Sequence, residues 1–108
     1  MKVNLYKLKE DNIRVTVDAY FNDGALVVEG YDIGSKVKEL LGDSDYEYFV
    51  TVTKEEVRKV YSSLNIEGGN KIKLLEEIQK RFKGNSAYRD YRDWLESENI
   101  TGEGFYYV

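Results

Sequence analysis

In "GDSDYEYFVTV", Gly42 to Val52, the carboxylates Asp43, Asp45 and Glu47 alternate with other residues and run straight into an apolar and aromatic segment. Alternating carboxylates suit calcium. An EF-hand loop starting at Asp43 requires glycine at its sixth position and a bidentate glutamate at its twelfth; the chain has Tyr48 and Lys54 there. That motif fails. A looser magnesium or calcium site is one reading of these acids, and a solvated turn, for which Asp and Ser are natural residues, is the plainer one. A third is a partner-binding surface, because Tyr46 and Tyr48 flank Glu47.

Paired carboxylates can also hydrolyse glycosidic bonds when two are held across a cleft and one pKa is raised. Asp18, Glu29, Asp32 and Glu47 are the acids a sheet would gather, although nothing in their spacing demands it. The chain has no cysteine and no histidine. This removes cysteine nucleophiles, serine–histidine triads, imidazole acid–base chemistry and the usual zinc ligands together. A G-x-S-x-G elbow, a P-loop and a G-x-G-x-x-G fingerprint are missing too, and "EGGN" lacks the lysine and hydroxyl residue of a phosphate loop. The expectation is therefore a protein without catalysis and without a cofactor.

Arg81, Lys83, Arg89 and Arg92 interleave with Tyr88, Tyr91 and Trp94, a composition that in other settings binds nucleic acid. Here the aromatics recur at helical spacing and read as core, while Asp90, Asp93, Glu96 and Glu98 interrupt the positive face. The net charge is −4, so the summed field repels nucleic acid and anionic membrane and favours a cationic partner. Glu29 to Thr53 holds six acids against two lysines, whereas Lys71 to Asp93 holds seven bases against four acids. With ten tyrosines in 108 residues, tyrosine is the distinctive component, and its apolar ring and polar tip suit both sheet faces and interfaces.

These residues need elements to place them. "IRVTVDAYF" alternates, with Ile13, Val15, Val17, Ala19 and Phe21 on one face, and reads as a half-buried strand. "VNLYKLK" precedes it as a less regular strand, and "ALVVEGY" follows through the "NDG" hairpin turn. "SKVKELLG" predicts a short helix with Val37, Leu40 and Leu41 on one side. "YEYFVTV" carries large groups on both faces and belongs inside a sheet rather than at its edge.

Thr53 and Glu56 form a T-x-x-E capping box opening a helix to about Leu64. Asn70 caps a second helix through Phe82, with Ile72, Leu75, Ile78 and Phe82 inward. Ser86 to Glu98 forms a third, with Tyr88, Tyr91 and Leu95 along one stripe, and "EGFYYV" closes as a strand. Strands followed by helices predict one α+β domain spanning 1–108, with a mainly antiparallel sheet of four to five strands and three to four helices packed on one face. No apolar run is long enough to span a bilayer and "MKVNLYKLKEDN" lacks a signal-peptide core, so the expected address is the cytoplasm.

A strand ending in G-x-D-x-G (Gly30, Asp32, Gly34), a short helix, and then G-D-x-D-Y-E-Y (Gly42 to Tyr48) leading into a strand resembles a pattern in small uncharacterised bacterial proteins. Some proteins of that type resemble immunity proteins, which neutralise a toxin by binding it. The resemblance implies a bacterial binding protein, and the acidic, tyrosine-bearing segment makes a basic partner such as a toxin the expected one. On that reading Asp32, Asp43, Asp45 and Glu47 supply charge, and Tyr46 and Tyr48 supply anchors. A self-associating structural module and a metal-dependent enzyme are the alternative expectations.

Overall fold

The computed structural model describes residues 1–42 and 44–107. Its elements run β1 (Lys2–Lys9), β2 (Arg14–Asn22), β3 (Ala25–Ile33), α1 (Ser35–Leu41), β4 (Asp45–Val52), α2 (Val57–Ser63), α3 (Lys71–Arg81), α4 (Ala87–Ser97) and β5 (Glu103–Tyr107). The five strands form one antiparallel sheet in chain order, β1-β2-β3-β4-β5. This is the expected α+β architecture. β4 lies between β3 and β5, inside the sheet as expected.

Alternation builds the inner face. Val17 and Ala19 on β2, Leu26 and Val28 on β3, and Val50 and Val52 on β4 are buried, and they join Val60, Leu74, Leu75, Ile78, Tyr91 and Leu95 of α2, α3 and α4 in one core cluster. Burying such a side chain contributes about 1.5–3 kcal/mol each. β1 reaches this face with an extra residue: the register slips between Asn4 and Tyr6, so buried Leu5 and half-buried Tyr6 both pack on the core, as a β-bulge permits. The β2–β3 turn has Asp23 at φ 50° and Gly24 at φ 85°, the left-handed pair that suits a two-residue hairpin.

Three local expectations are corrected. Leu40 is 73% exposed and Leu41 also faces solvent, leaving Val37 as the buried residue of α1, because the helix meets the ends of β3 and β4 over a single turn. In α3 the inward stripe is Leu74, Leu75 and Ile78, while Ile72 is 57% exposed; it lies in the first turn, ahead of the stretch that meets the sheet. Thr53 and Glu56 do not close a capping box. The Thr53 carbonyl accepts backbone bonds from Glu56 and Val57, α2 begins only at Val57, and the Glu56 carboxylate turns to Lys59 at 2.9 Å. The Asn70 cap is formed, with its side-chain oxygen accepting from the Lys73 amide at 3.2 Å.

Candidate functional site

Successive side chains of a strand point to opposite faces, and that rule divides the candidate residues. Tyr46 and Tyr48 share the inner face with Val50 and Val52. Cross-strand register sets Asp32 opposite Tyr46, and Gly30 opposite Tyr48. Asp32, Tyr46 and Tyr48 therefore meet on the inner face. Asp45 and Glu47 lie on the outer face, paired with Ile33 and Tyr31. Asp43 lies outside the described residues.

The inner group sits where the cover of the helices runs out. Beyond Val50, the sheet and α4 separate into an open cleft of about 670 Å³, a size usual for small-molecule sites. Tyr48 donates its hydroxyl to the Asp32 carboxylate at 2.8 Å. Its ring lies 5.4 Å from that of Tyr46 and meets Tyr88 of α4 edge-on at 4.7 Å. Glycine makes this arrangement possible: a Cβ on Gly30 would collide with the Tyr48 ring, and one on Gly102 would come within 2.7 Å of Val50.

Burial holds the Asp32 carboxyl above the usual carboxylate range, and the hydrogen bond from Tyr48 pulls it part of the way back. Burial pushes the Tyr48 phenol far up, reinforced by its hydrogen bond to Asp32 and by the charge there. The phenol therefore stays protonated and keeps donating. The rim is charged and exposed: Arg89, Arg92, Asp93 and Glu96 recur at helical spacing along α4, with the Arg92 guanidinium 5.7 Å from the Tyr88 ring.

The outer face is a second surface. Register aligns Asp18, Glu29 and Phe49 in one row and Thr16, Tyr31 and Glu47 in the next, around a depression of about 320 Å³. Apart from Val27, these outer positions of β2, β3 and β4 are exposed or half-buried. Asp18 and Glu29 stand directly opposite each other, a like-charge pairing that destabilises a sheet unless neighbours compensate. Asn4 donates to Asp18 at 3.0 Å and the Tyr20 hydroxyl donates to Glu29 at 3.1 Å. The Lys2 ammonium is 3.9 Å from Glu29 and stacks over the Tyr20 ring at 5.2 Å. Burial and the Glu29 hydrogen bond raise the Tyr20 pKa.

Of the four acids considered for a carboxylate pair, Asp18, Glu29 and Glu47 thus share the outer face and Asp32 lies on the other. Sequence reasoning missed Tyr31 and Phe49, although the alternation that sends Glu47 outward also sends Phe49 outward. It also missed Tyr88 as a cleft wall, because the helical stripe alone read that residue as core. Among the described residues no group of three or more acids is placed to hold a metal ion. No helix formed by them is long and apolar enough to cross a membrane. No family model matches the chain, and no curated protein or solved structure matches it.

Proposed function

We propose that this is a non-catalytic protein-binding protein of the immunity type, which captures a basic partner on the outer face of its sheet. One observation carries the reading: Asp18, Glu29 and Glu47 surround a depression on that face, beside half-buried Tyr31 and Phe49. Interface anchors are typically aromatic, and surrounding charges speed and orient the encounter. Asp45 extends the acidic stripe one row beyond Glu47 on the same strand. A cationic loop entering the depression would meet carboxylates around its rim and rings beside it. The anchors thus move from Tyr46 and Tyr48 to Tyr31 and Phe49, while Asp45 and Glu47 keep the role expected of them.

The test is charge reversal. Glu29→Lys with Glu47→Lys, fold intact by circular dichroism, is expected to abolish capture of a basic protein from lysate of the encoding organism. Unchanged capture removes this face from the proposal.

The charge layout favours one second reading. The outer positions of β1 carry Lys2, Lys7 and Lys9, across the face from Asp45 and Glu47. A twofold axis parallel to the strands would bring the basic side of one copy over the acidic side of another, an isologous contact. A salt-sensitive dimer seen by analytical ultracentrifugation supports this self-association, and a monomer at all concentrations opposes it.

A further inference from the structure

The inner cleft is a separate surface from the one assigned to the basic partner, and its chemistry asks for a different occupant. Asp32 is half-buried, and among the described residues the one hydrogen bond on its side chain comes from a neutral phenol. Among the described residues no lysine or arginine pairs with it. A carboxylate withdrawn from water without a counter-charge is unfavourable, and its pKa rises in response. A cation entering the cleft removes that penalty. Beside the carboxylate stand Tyr46 and Tyr48, and tyrosine rings with a carboxylate are the groups that recognise ammonium ions, the rings through their quadrupoles. Val50, Leu95 and Ile100 supply an apolar wall for the carbon chain of such a ligand.

We propose that this cleft binds an organic ammonium group, held by the Asp32 carboxylate and faced by the rings of Tyr46 and Tyr48. The volume admits an alkylammonium chain of lysine length with room to spare. Two sources share the chemistry, a free alkylamine and a lysine side chain presented by a peptide. Arg89 and Arg92 on the rim make a small anion the competing occupant.

The experiment is a titration of the isotope-labelled full chain, followed by amide shifts, with four probes: pentylamine, a short peptide with one central lysine, the same peptide with norleucine, and pentanoate. Shifts confined to residues around Asp32, Tyr46 and Tyr48 with pentylamine, and none with norleucine peptide or pentanoate, are expected. Tighter binding of the lysine peptide than of pentylamine assigns the source to a protein, and the reverse assigns it to a metabolite amine. Asp32→Asn, which leaves Tyr48 an acceptor, should weaken pentylamine at least about tenfold. Tyr46→Leu, which leaves the carboxylate and its bond from Tyr48 in place, should weaken it by about threefold or more. Binding of pentanoate at this cleft, or no amine-dependent shift there in the wild type, overturns the proposal. So does an Asp32→Asn protein that folds and binds pentylamine as before.

Discussion

Gly30→Ala is the substitution that most directly separates close packing from ordinary strand preference. Gly30 lies mid-strand on β3 without a positive φ, so alanine fits its backbone. Were there free space over it, the change would stabilise the protein by about 0.4–1 kcal/mol, because alanine has less freedom to lose on folding. The structure reverses that sign. The new methyl would overlap two carbons of the Tyr48 ring, which is held by its hydrogen bond to Asp32 at 2.8 Å and by the Tyr88 contact at 4.7 Å. Forcing a group into a packed site costs about 1–3 kcal/mol, and displacing the ring also takes the Asp32 carboxylate's donor away. The net expectation is a loss of about 1–2 kcal/mol, a fall in Tm of roughly 4–16 °C for a domain of this size. Urea titration of wild type, Gly30→Ala, Tyr48→Ala and the double variant forms a cycle. The double variant should be more stable than the two single losses predict, by at least about 1 kcal/mol. A Gly30→Ala protein as stable as wild type with an unchanged m-value would refute the reasoning.

Three further expectations follow from the same packing. Because the folded pKa of Asp32 is raised above 3.8, its contribution to stability is full below that value and is lost as pH rises through the folded pKa; urea midpoints across the acid range should show a decline that Asp32→Asn removes. Tyr91→Phe removes a buried hydroxyl that has no hydrogen-bond partner among the described residues, so stability should hold or rise by up to about 1 kcal/mol, and a loss above that would reveal a partner. Asn70→Ala deletes the α3 cap and should cost about 1 kcal/mol, read as an earlier thermal transition.

The strands were legible because one face had to be apolar. Val15, Val17 and Ala19 needed no other information, and large groups on both sides of Tyr46 to Val52 already placed that strand inside the sheet rather than at its edge. Helix phase was harder: α3 offers Ile72, Leu74, Leu75 and Ile78, and only the position of the sheet decides that Ile72 is outside the contact. At Thr53 the sequence pattern was right for a cap, yet the backbone closed a turn first and the Glu56 carboxylate found Lys59. The site was half legible. Period two alone places Glu47 on the opposite face from Tyr46 and Tyr48, while the meeting of Asp32 with those tyrosines depends on the β3–β4 register, which is a long-range pairing that no local spacing encodes. The aromatic neighbours Tyr31 and Phe49 become partners of the acids for the same reason.

The most direct measurement of the central claim is parallel capture on three immobilised forms: wild type, Glu29→Lys with Glu47→Lys, and Asp32→Asn. Lysate of the encoding organism is applied, washed at low and then moderate salt, and the retained proteins are identified by mass. A basic protein held by the wild type and by Asp32→Asn, but lost from the charge-reversed form, is the predicted result. A basic protein held equally by all three, or lost only from Asp32→Asn, would contradict the assignment of the outer face.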